Sequence, residues 1–149
     1  MTSQATLIAS ILIAVGGAFI AMQAPINAAL ARTIDSSVAA ACISFGVGFA
    51  VLLAITLLSG DGASLTRVGT VPRWLLLGGA LGAVFVWSSL WAVPILGVLT
   101  TTTLLIFGQI VASLAIDHFG AFGLIPRDIS VSRILAAVLV GAGAVLSRF

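Results

Sequence analysis

Gln23 and Asn27 stand four residues apart inside a long apolar stretch, with Pro25 between them. At that spacing the two amides share one face of a helix. Pro25 has no N–H to donate and its ring crowds the carbonyl of Ala21, so the helix is expected to kink or open there. Freed carbonyls beside two amides could form a polar seat for a small molecule, as discontinuous helices do in transporters. The same amides could instead serve only as interhelical hydrogen-bonding glue, because an amide in lipid needs a partner in either role. The residues alone leave both roles open.

Three further places could carry chemistry. Gln109 lies deep in a later apolar run, two turns after Thr100 to Thr103 and next to Gly108. Facing lipid it would be costly, so it is expected to face the bundle interior, either on a substrate or on a neighbouring helix. Trp87 and Trp91 share a helical face; Trp91 suits an interfacial anchor, and Trp87 either packs or offers an aromatic wall to a substrate. Asp117-His118 combines an acid and an imidazole, but one of each makes a poor metal site. Its expected work is to end a helix and to pair with Arg127 or Arg133. Cys42, alone in the chain, can form neither an intrachain disulfide nor a thiolate cage and is read as packing. No carboxylate lies in the middle of any apolar run, whereas proton-coupled carriers usually place one there. No nucleophile elbow, phosphate-cradling loop or hydrolytic set is present, so neither an enzyme nor a cofactor or metal is expected.

The elements that position these residues are marked by the charges. The chain has six Arg, four Asp and one His, with no Lys or Glu, and most of them fall between apolar runs. Hydrophobic residues make up 61% and charged ones 7%, with mean hydropathy +1.32, against about 25% charged in soluble domains. A water-soluble surface cannot be built from that composition, and the high apolar content excludes disorder. The scattered Arg form no basic run, which argues against nucleic acid as a partner. Since a helix crosses the ~30 Å hydrocarbon core in about 20 residues, five spans are expected, at about 7–30, 38–58, 74–92, 95–116 and 132–147. Pro94 and Gly97 are expected to separate the third from the fourth, which would end near Ala92 and begin near Ile95. Barrel strands are excluded because no alternation of apolar and polar residues appears. The first run has no basic segment before it and is read as a retained span.

Trp74 and Trp91 bracket the third span at a separation close to the core thickness. Gly17 and Ala21, Gly78 and Gly82, and Ala137 and Gly141 have the spacing that lets membrane helices approach closely, and the last span could also face a second subunit. Arg67, Arg73, Arg127 and Arg133 fall on the amino-terminal side and Arg32 and Arg148 on the other, a difference of two in favour of a cytoplasmic amino terminus. An odd number of spans puts the two chain ends on opposite sides. An inverted repeat needs two similar units of opposite orientation, and one five-helix unit cannot supply both.

The ordered motifs Gln23-Ala24-Pro25-Ile26-Asn27-Ala28, Ser44-Phe45-Gly46-Val47-Gly48 and Val93-Pro94-Ile95-Leu96-Gly97 are followed by Gly108-Gln109, Asp117-His118-Phe119-Gly120 and the helix-opening Arg133. Together they resemble the small five-helix YdcZ-like family of inner-membrane exporters in the drug/metabolite transporter superfamily. The resemblance implies an all-α membrane protein that is half of a ten-helix inverted-repeat transporter. It implies an antiparallel pair in the plasma (inner) membrane, formed with itself in dual topology or with an oppositely oriented homologue. Its activity would be secondary export of a small metabolite or drug-like molecule by alternating access. Gln23, Pro25, Asn27, Ser44, Trp87 and Gln109 become substrate-path candidates, and Pro94, Gly97, Asp117, His118 and Arg133 structural ones. Ala136 departs from the family's frequent Gly three residues after that Arg, which loosens the expected packing of the last helix. The competing reading is a non-transporting scaffold or regulatory subunit whose amides are only glue.

Overall fold

The computed structural model describes residues 3–149, among which every regular element is helical. The α-helices are α1 (Ser3–Thr33), α2 (Ser37–Leu58), α3 (Gly62–Leu65), α4 (Leu77–Leu96), α5 (Val98–Phe119) and α6 (Val131–Leu146). Short 3-10 turns occupy Thr66–Thr70, Arg73–Leu76 and Ala121–Gly123. Four helical stretches are long and apolar enough to cross a membrane: Gln4–Thr33, Ser37–Leu58, Arg73–Leu96 and Val98–Phe119. α6 is apolar but has 16 residues, about 24 Å of rise against a core of ~30 Å.

Local chemistry explains where these helices start and stop. Ser36 caps α2 by accepting a hydrogen bond from the Ala39 N–H at 3.1 Å. Ser130 caps α6 through the Arg133 N–H at 3.4 Å. Each satisfies one of the donors a helix start leaves unpaired. Between α1 and α2 the chain reverses in a tight turn, with Asp35 at φ 55. A short polar side chain tolerates that left-handed conformation better than most.

Neither Pro25 nor Pro94 opens its helix. α1 runs continuously through Pro25, and α4 runs through Pro94 to Leu96 rather than ending near Ala92. A helical proline removes one backbone hydrogen bond. In hydrocarbon each further unpaired group costs several kcal/mol, which favours resuming the helix at once. The break between α4 and α5 is Gly97 alone, at φ 80 and ψ 165, a region essentially restricted to glycine. Gly97→Ala should therefore destabilise the protein by about 1–3 kcal/mol. Thermal unfolding of the detergent-purified variant beside Pro94→Ala checks this, with the glycine variant expected to melt lower.

The chain divides into two compact units, one ending at Pro94 and the other beginning at Ile95. In the first, α1 packs along α2. Ala40, Ala41, Val86 and Leu90 form a buried cluster, with Leu30, Ala31 and Phe85 against it. The alanines keep the helix axes close, as membrane packing by dispersion requires. Of the small residues singled out on these helices, Gly82 receives a neighbour, the Phe45 ring, while Gly17 and Gly78 face open space.

In the second unit α5 and α6 run antiparallel. Thr100 Oγ1 donates to the Ser147 carbonyl at 2.8 Å, and the Thr103 and Ser147 hydroxyls are 3.1 Å apart. Further along, Gly141 accommodates the Phe107 ring, which a Cβ would meet at 2.9 Å. Ala137 and Ala144 are buried beside it.

Most large apolar side chains point outward, including Ile13, Leu58 and Leu139 at 76%, 88% and 71% exposed. In water such continuous apolar surface would far exceed the few hundred Å² a soluble monomer tolerates. Lipid is the solvent that makes it stable, and the chain is a multi-pass membrane protein.

Candidate functional site

The strongest polar cluster of the sequence is brought together on the α1–α2 face. Asn27 is 7% exposed, and its Nδ2 donates to Ser44 Oγ at 2.9 Å across the two helices. That bond makes Asn27 an interhelical tie. It leaves the Asn27 carbonyl oxygen and the Ser44 hydroxyl proton available. Gln23, one turn earlier on the same face, is exposed. Its side chain makes no hydrogen bond within the described chain.

Gln23, Asn27 and Ser44 line one groove of about 590 Å³. Its walls are otherwise apolar, with Phe19, Ile26, Ile43 and Val47 among them, and Gly48 at one edge. No lining residue is ionisable. Such a groove offers neutral donors and acceptors on a greasy surface, the usual make-up of a small-molecule site. Pro25 is half-buried and does not line it. Trp87 does not line it either and is 44% exposed.

Gln109 belongs to the second unit. The expectation that it turns inward is not met within that unit: it is exposed on α5 and makes no side-chain hydrogen bond among the described residues. Cys42, expected to pack, is exposed as well.

Asp117 occupies the last turn of α5 and pairs with Arg133 rather than Arg127. Arg127 contributes its backbone, whose N–H donates to the Asp117 carbonyl at 2.8 Å. One carboxylate residue thus fastens the loop and the start of α6. Gly120 ends α5 in the left-handed conformation at φ 59. His118 lies edge-on to Phe119 at 5.1 Å between ring centres, and no group of three metal-ligating residues occurs among the described residues. Both partners of the ion pair are about 30% exposed, so Arg133→Gln should cost only about 1 kcal/mol. The double exchange Asp117→Arg with Arg133→Asp should recover most of that loss in a thermal-unfolding series.

Several residues that organise these regions carry little signal in the sequence. Ser36 and Ser130 were legible only as polar residues at the ends of apolar runs. The Thr100–Thr103–Ser147 ties join segments over forty residues apart. The Asn27–Ser44 bond depends on how α1 is rotated against α2, and both helices are apolar nearly all round.

Neither a curated protein nor a solved structure matches the chain. A family model does, from residue 8 to residue 146, and it is described as "Putative inner membrane exporter, YdcZ". The match takes in most of α1, all of α2, α4, α5 and α6, and the groove, and the chain accordingly belongs to the YdcZ family of membrane exporters.

Proposed function

We propose that the chain is one half of a secondary exporter that works by alternating access as an antiparallel pair, with a second copy or an oppositely oriented homologue as the other half. Family membership supports export. The single observation that carries the rest is the pair of exposed, unbonded amides, Gln23 and Gln109, on otherwise apolar membrane helices. Amides at that depth need partners, and a second half plus a substrate are what would supply them.

The groove residues suggest the substrate's character. A small, mainly apolar molecule with neutral hydrogen-bonding groups matches Gln23, Asn27 and Ser44. Asp35, Asp61 and Asp128 lie outside the long helices and Asp117 in the last turn of α5. A proton carried by a mid-membrane carboxylate of this chain is therefore not part of the mechanism.

The test is solvent access to Gln23. Gln23→Cys in a Cys42→Ala background should react with a membrane-impermeant maleimide, and a transported compound should slow the reaction. Complete protection in every state would sink the transport reading in favour of amides that act only as glue.

A further inference from the structure

A second groove, independent of the first, lies between α5 and α6. It has a volume of about 430 Å³ and an apolar wall that includes Leu104, Phe107, Ala144 and Val145, with Arg148 also lining it. Arg148 is exposed, and its guanidinium makes neither an ion pair nor a hydrogen bond among the described residues. We propose that this groove is a binding site for one acyl chain of an anionic phospholipid, with Arg148 on the headgroup phosphate.

Dimensions and charge favour this occupant. From Gly141 to Arg148 the lining covers about 10 Å of rise along α6, and on the facing side it extends from Leu96 past the Gly97 break to Phe107. That fits within half the hydrocarbon core, the depth of one leaflet. Gly141 leaves α6 without a side chain opposite Phe107, and Val145 is 61% exposed along the rim. The apolar wall suits a hydrocarbon tail. The unpaired cation stands just beyond the last turn of a short helix, where a long side chain extends toward the phosphate layer. A basic residue bordering a cleft between membrane helices is a recognised setting for anionic headgroups. A neutral-headgroup lipid would leave Arg148 unpaired, and free phosphate would leave the apolar wall uncovered.

The experiment is competition between phosphatidylglycerol and phosphatidylcholine for the purified protein in mixed micelles, with retained lipids counted by native mass spectrometry. The wild type should prefer phosphatidylglycerol about fivefold more than Arg148→Gln does. Arg148→Lys should keep most of the preference, since Lys also binds phosphate as a point charge. Val145→Trp, placed at the exposed rim, should lower retention of both lipids without lowering the unfolding midpoint. Inorganic phosphate in excess should not displace the lipid. An unchanged preference in Arg148→Gln, or displacement by phosphate, would overturn the proposal. So would efficient disulfide cross-linking between copies through Val145→Cys in a Cys42→Ala background, which would make the groove a subunit contact.

Discussion

Gln23→Leu and Asn27→Leu should each reduce transport to background while leaving the protein inserted and folded. The two variants are expected to differ in stability, and the difference separates the roles of the residues. The Gln23 side chain makes no hydrogen bond among the described residues, so its replacement removes none and should leave the unfolding midpoint at or above that of the wild type. Asn27→Leu breaks the bond to Ser44. Interhelical hydrogen bonds in membranes average about 0.6 kcal/mol and reach about 1.7, against the ~5–15 kcal/mol by which folded proteins are stable. Asn27→Leu should therefore melt slightly lower and still be purified as a monodisperse species. The assay is efflux from proteoliposomes of neutral, mainly apolar compounds that the wild type moves. Gln23→Asn keeps an amide on a shorter stem and should retain part of the activity. Normal efflux by both leucine variants would remove the polar groove from the transport path.

A second large effect is expected at Gly120, where Gly120→Ala should cost about 2–5 kcal/mol. Two terms add. Placing a residue with a Cβ in the left-handed region costs roughly 1–2 kcal/mol, and φ is 59 here. Crowding a packed site adds about 1–3 kcal/mol. A Cβ would lie 2.7 Å from Pro126 Cγ and 2.8 Å from the Leu124 carbonyl oxygen, and the second of these is backbone that cannot swing away. Gly123 supplies the internal control. Its φ is 79, but nothing lies within 4 Å of where its Cβ would be, so Gly123→Ala should show the conformational cost alone. Denaturation midpoints of the two variants in the same detergent measure the difference. Equal midpoints would mean that the turn after α5 relaxes freely. The same turn brings Arg127 and Arg133 to Asp117, so its loss should also loosen α6 from α5.

How legible these features were in the sequence follows from what fixes each one. Helix positions are governed by transfer of apolar runs into lipid, a property of composition, and the charges between runs mark the boundaries. The end of α4 was misplaced because Pro94 and Gly97 are both capable of breaking a helix and stand three residues apart. Only the backbone angles reveal that the proline is carried through and that the glycine turns the chain. Gln23 and Asn27 were visible as candidates because amides are conspicuous against an apolar background. That Asn27 reaches Ser44 while Gln23 reaches nothing depends on helix rotation, which two helices without a polar face do not encode locally. Arg133 and Arg127 were indistinguishable as partners of Asp117, because the loop conformation set by Gly120 makes the choice. The exposure of Gln109 could not be anticipated from one chain, since the expectation assumed an interior formed by that chain alone.

We propose an antiparallel transporter of which this chain is one half. Its most direct test is an experimental structure of the assembled protein in a lipid nanodisc. The predicted result is two five-helix units of opposite orientation, related by a pseudo-twofold axis in the membrane plane, with the Gln109 amide of each no longer facing lipid and the Gln23 grooves opening toward a shared path. A monomer, or a parallel pair in which Gln109 still faces lipid, would contradict it.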